Sequence, residues 1–108
     1  MKFSEGNIFT GWDRHSKEEI FNTVFSGKNI KIEKIISSGQ TSPEEGWYDQ
    51  QQQEWVILIE GKAILEFEHD QKKNLQKGDY LLIPAHTKHK VIYTSANPKC
   101  IWLAIFFT

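Results

Sequence analysis

The sequence predicts an all-β domain, a sandwich or barrel of short antiparallel strands preceded by one short helix. Three observations lead there. From Lys62 to Glu68 apolar and polar residues alternate, with Ala63, Leu65 and Phe67 on one side and Lys62, Glu66 and Glu68 on the other; this is the signature of a half-buried antiparallel strand. Turn signals recur along the chain at Glu60-Gly61, His69-Asp70-Gln71, Lys77-Gly78-Asp79 and Asn97-Pro98, a spacing that suits many short strands. Helical periodicity is confined to the stretch after Ser16.

The elements follow in order. Ser16 and Glu19 form a capping-box pattern, and Ile20, Phe21, Val24 and Phe25 fall on one helical face, with Gly27 placed to end the helix. Residues 1–29 therefore read as an N-terminal segment whose short helix packs on a barrel formed by residues 30–108, with Trp12 and Phe21 as its anchors. Ile30, Ile32, Lys34 and Ile36 share one side of the first strand. Trp55 to Ile59 is continuously apolar and suits a strand buried on both faces. Beyond Lys62–Glu68, strands are expected at Tyr80–Pro84, Lys90–Thr94 and Ile101–Phe107. No internal repeat or flexible linker interrupts them; the four glutamines Gln50 to Gln53 are too few for a disordered tract.

Composition sets limits on function. A chain of 108 residues, 39% hydrophobic and 25% charged, is one ordinary globular domain. Its net charge of −1 and scattered lysines provide no basic patch for nucleic acid. The longest nearly apolar run, Cys100 to Phe107, is too short to span a bilayer, and the opening residues lack a signal-peptide apolar stretch. The single cysteine, Cys100, reads as a buried inert thiol and fits a cytoplasmic location.

Two stretches carry more than β structure. The first runs from Trp47 to Gly61 and contains Glu54, six residues, then Gly61. The second runs from Gly78 to His89, with Gly78, five residues, Pro84, and then His89. Together they resemble the two motifs of the cupin superfamily, Glu-x6-Gly and Gly-x5-Pro-x4-His, and the resemblance extends over about Ile30 to Phe107. It implies a double-stranded β-helix, or jelly-roll barrel, of the small single-domain bacterial kind, often a homodimer. A two-residue period places Glu54, Val56 and Leu58 on one face, and His89, Val91 and Tyr93 on another. The family pattern turns both faces inward. The outward apolar residues Trp55, Ile57 and Ile59, with a last strand apolar on both sides, agree with sheet-on-sheet burial in a dimer.

Many cupins hold a divalent metal (Zn, Ni, Fe or Mn) with His-x-His, then Glu, then the second-motif His. Here the His-x-His positions are Tyr48 and Gln50, whereas Glu54 and His89 match, and His86 stands where the family often has glycine. The metal-ligand candidates are therefore Glu54, His86, His89 and Gln50. Glu54, His86 and His89 would make a two-histidine, one-carboxylate set if His86 turned inward, although a glutamine amide is a weak ligand for such metals. A further ligand in related cupins is a histidine before the last aromatic residue, and Phe106 occupies that place. Without metal, Glu54 and His89 satisfy each other, and His86 is an exposed turn residue. Tyr48 and Asp49 are further pocket candidates, Asp49 as an acid or base beside an imidazole. The sequence expectation is thus a cupin binding a divalent metal, a small polar metabolite or both. The alternatives are a metal-free isomerase or lyase in which His89 or Glu54 moves a proton, and a non-catalytic sensor module.

Overall fold

A computed structural model describes residues 2–108. Eight strands are present: β1 (Ile20–Ser26), β2 (Ile30–Ser37), β3 (Gln53–Glu60), β4 (Ala63–Phe67), β5 (Gln71–Leu75), β6 (Tyr80–Ile83), β7 (His89–Thr94) and β8 (Cys100–Phe107). They form a five-stranded sheet in the order β1-β2-β8-β3-β6 and a three-stranded sheet in the order β5-β4-β7, with every pairing antiparallel. Sequence neighbours β3 and β4 lie in different sheets, as do β6 and β7, so the chain winds back and forth between two layers. The inward side chains of both, Val56, Leu58, Ala63, Leu65, Ile83, Trp102 and Ala104 among them, make one buried core. Among the described residues no helix is long and apolar enough to cross a membrane.

The expected N-terminal helix is a strand instead. Ser16 Oγ accepts the Glu18 amide, forming a local turn, and the Glu19 carboxylate goes to Ser37 Oγ rather than back to a helix terminus. Ile20 to Ser26 then pairs with β2, with an irregularity between Thr23 and Phe25. This bulge at Val24 resets the two-residue phase. Apolar residues consequently stand at 20, 21, 24 and 25, a spacing that imitates a helical face. Gly27 belongs to the β1–β2 hairpin, where its N–H donates to the Ile30 carbonyl.

A second bulge changes another expectation. β4 and β7 run in register until Ile64 pairs with Tyr93 and Leu65 with Val91, which leaves Ile92 as the extra residue. His89 and Val91 keep the inward face, but Tyr93 is turned out and exposed.

The opposite side of β2 is closed by the N-terminal segment. Lys34, only 8% exposed, donates from Nζ to the carbonyls of Thr10 and Asn7 at 2.8 and 3.4 Å. Two carbonyl dipoles thus replace part of the hydration of a buried ammonium. The cations of Arg14 and Lys99 each stand over the Trp12 ring, 5.2 Å from its centroid. Phe21, expected as an anchor of this segment, instead sits in β1 and lines the barrel cavity.

Candidate functional site

The interior opens into a cavity of about 320 Å³ between the two sheets, at the small end of ligand-pocket sizes. Its centre is made by Glu54 on β3 and His89 at the start of β7, which are 9% and 5% exposed. Each position follows from strand phase. Glu54 precedes Val56 and Leu58 on the inward face, and Phe106 of β8 and Ile83 of β6 lie directly opposite it. His89 is fixed by the segment before β3, because Tyr48 and His89 exchange backbone hydrogen bonds of 2.7 and 3.1 Å.

His89 Nδ1 is 2.9 Å from the Thr87 carbonyl. A carbonyl can only accept, so Nδ1 carries the proton and Nε2 faces the cavity. Glu54 Oε1 lies 3.7 Å from Nε2 and accepts a hydrogen bond from Gln50 Nε2 at 2.9 Å. Burial disfavours a charged His89. The facing Glu54 carboxylate and the Thr87 carbonyl outweigh that burial, and the His89 pKa is raised above its ordinary 6.5. Rings of Tyr48 and Phe67 flank the imidazole at centroid distances of 5.5 and 5.9 Å.

Four of the sequence candidates therefore meet: Tyr48, Gln50, Glu54 and His89 all line the cavity. The other two stand apart. His86 Nδ1 lies 3.0 Å from Asp49 Oδ1, with side chains 66% and 42% exposed, and neither residue lines the cavity. His86 has a φ of 60°, a left-handed conformation that glycine adopts without strain, and this accounts for the glycine common there in the family pattern. That backbone, held by a 2.7 Å bond from its N–H to the Gln50 carbonyl, belongs to a turn whose side chain meets solvent and Asp49.

Sequence reasoning missed Phe21, Glu19 and Glu33, which also line the cavity. Glu33 was legible as the alternate phase of β2, opposite Ile32 and Lys34. Glu19 and Phe21 were hidden by the apparent helix.

The donor set does not fit a tightly held divalent metal. Such a site needs three or more strong ligands, and among the described residues no three His, Cys, Asp or Glu side chains are grouped to supply them. His86 is turned away, Phe106 faces Glu54 from β8, and the Gln50 amide nitrogen, not its oxygen, is directed at Glu54. Untagged protein incubated with Zn, Ni, Fe or Mn salts and then dialysed is expected to retain far less than one ion per chain by elemental analysis. Stoichiometric retention that disappears in His89→Ala contradicts this.

The sequence pattern of the cupin domain family matches residues 33–106. Among solved structures, a protein of Ralstonia eutropha JMP134 described as a "putative mannose-6-phosphate isomerase" is 39% identical, with a TM-score of 0.90 over 95% of this chain and 96% of that one. A cupin superfamily protein of Desulfitobacterium hafniense DCB-2 is 18% identical, with a TM-score of 0.74 over 89% and 83% of the two chains. An RmlC-like cupin of Desulfovibrio desulfuricans is 15% identical, with a TM-score of 0.73 over 99% and 97%. No curated protein matches the chain.

Proposed function

The chain belongs to the cupin domain family, and from that premise we propose that its barrel binds a small polar carbonyl metabolite and shifts a proton on it without a metal. One observation carries the reading: a buried imidazole and a buried carboxylate face one cavity 3.7 Å apart. That separation exceeds a direct hydrogen bond, so both groups keep capacity for a ligand.

With Glu54 holding His89 as an imidazolium, the two have complementary tasks. His89 Nε2–H donates to the carbonyl oxygen of the ligand, and the Glu54 carboxylate accepts the proton from the adjacent carbon. Glu54 then returns that proton to the former carbonyl carbon, while His89, having protonated the former carbonyl oxygen, takes the proton of the hydroxyl on the adjacent carbon, so that aldose and ketose interconvert and both residues are restored. Gln50 positions the carboxylate, and the Thr87 carbonyl fixes the imidazole tautomer. The isomerase description of the Ralstonia protein supports this reaction class.

The test is solvent exchange. Incubated in D2O with unphosphorylated aldoses and ketoses, the wild-type protein should wash deuterium into the carbon next to the carbonyl, read by NMR. Glu54→Gln and His89→Ala should each slow this by about 100-fold or more, the usual contribution of a positioned acid or base. Exchange that persists in both variants overturns the reading, as does wild-type protein that binds such a sugar and exchanges nothing.

A further inference from the structure

The cavity charge is one-sided. Three carboxylates line it, Glu19, Glu33 and Glu54, against one imidazole, His89, and among the described residues no Lys or Arg belongs to the lining. Glu19 is held by Ser37, a fully buried hydroxyl that also receives the Trp102 indole N–H at 3.2 Å. Glu33 meets Lys31 at 3.1 Å, but that lysine side chain is 45% exposed whereas the Glu33 side chain is 12% exposed, so the cation is largely screened by water. Pairing His89 with Glu54 thus leaves two carboxylates, Glu19 just before β1 and Glu33 on β2, without a buried counter-charge among the described residues.

Two further features support a ligand in this cavity. The His89 side chain is only 6% exposed and that of Glu54 12%. Yet Glu54 Oε2 and His89 Nε2 make no hydrogen bond among the described residues, and both side chains line the cavity. Aromatic side chains share the same lining: Phe21, Tyr48, Trp102 and Phe106. Their electron-rich faces attract cations, most strongly where water is excluded. A phosphate dianion here would meet carboxylates with no guanidinium or ammonium to receive it.

We propose that the cavity selects an ammonium-bearing ligand, with Glu19 and Glu33 as its charge-selecting residues, and excludes phosphorylated ones. This rests on the reading of the barrel as a small-metabolite site and names the class of metabolite. The ligand carbonyl meets Glu54 and His89, and its ammonium group is received by the β1–β2 wall.

Three hexoses that differ in charge test it: glucosamine as a cation, mannose as a neutral sugar and mannose 6-phosphate as an anion. By calorimetry with the full chain at neutral pH and low salt, glucosamine should bind at least about tenfold more tightly than mannose. Mannose 6-phosphate should bind more weakly than either. Glu33→Gln and Glu19→Gln should each narrow the preference for glucosamine over mannose about three- to tenfold. Absence of a glucosamine preference, including failure of all three sugars to bind, overturns the proposal, as does a preference that survives both substitutions. Such survival, with solvent exchange still dependent on Glu54 and His89, removes the charge assignment alone. Exchange independent of Glu54 and His89, with the charge preference intact, removes the proton-transfer reading alone.

Discussion

Gly61→Ala is expected to lower stability by about 2–5 kcal/mol, the sum of a left-handed backbone penalty and overpacking in a filled core. Gly61 turns the chain from β3 into β4 with a φ of 93°, and so carries it from one sheet to the other. A β-carbon there would stand 2.8 Å from Cys100 Sγ, 2.9 Å from Cys100 Cα and 2.9 Å from the Lys99 carbonyl oxygen. The Cα and the carbonyl are backbone and cannot rotate away. The sulfur is held too, because it donates to the Lys62 carbonyl at 3.1 Å and Cys100 is fully buried. Gly78→Ala is the matched control. Its φ is 91°, but a β-carbon would meet nothing within 4 Å, so only the backbone penalty of about 1–2 kcal/mol applies. Thermal or denaturant unfolding of the two variants separates the contributions. Equal losses would mean that the crowding at Cys100 is relieved without cost.

The same position shows what the sequence disclosed. Glycines at 61 and 78, the continuous apolar run of β3 and the alternation in β4 were local signals, each settled by residues near in sequence, and the barrel followed from them. β5 gave no such signal. It is an edge strand, Gln71 to Leu75, with only Leu75 buried, so no apolar period marks it, and its lysines protect an open edge from further pairing. It is nevertheless placed by the His69-Asp70 turn, whose φ values of 65° and 59° suit a tight hairpin. β1 failed for the opposite reason: it carries an apolar pattern, but a bulge scrambled the period. Bulges are fixed by cross-strand registration, which a linear reading does not contain, and the one at Ile92 turned Tyr93 outward for the same reason. In the site, motif spacing identified Glu54 and His89. The orientation of His86 required the left-handed turn that points it to Asp49. Glu33 was not singled out, because its meaning depends on which face of β2 meets the second sheet.

Glu54→Gln is expected to lower the His89 pKa and to cost stability chiefly on the acid side of neutrality. Glutamine keeps the shape of the side chain and removes its charge. Burial, the largest single influence on His89 and one that disfavours the charged ring, is then opposed mainly by the Thr87 carbonyl. In NMR titration the His89 ring protons of the wild type should move with a midpoint above 6.5, and those of the variant with a lower one. The stability consequence follows by linkage. A histidine whose folded pKa is raised binds its proton more tightly when folded, so its contribution is fully present below the unfolded value of about 6.5 and is lost as pH rises through the folded pKa. The stability difference between wild type and Glu54→Gln should therefore be largest below about pH 6.5 and shrink as pH climbs past the wild-type midpoint. Denaturant unfolding between about pH 5.5 and 9 measures it. A difference independent of pH would show that Glu54 stabilises the barrel through Gln50 and packing alone. A difference that widened with pH would mean that the His89 pKa is lower with Glu54 present than without it, which contradicts the pairing. Because the proposed proton shift needs an imidazolium beside an ionised Glu54, the same titration also fixes the pH above which exchange should fall in the wild type.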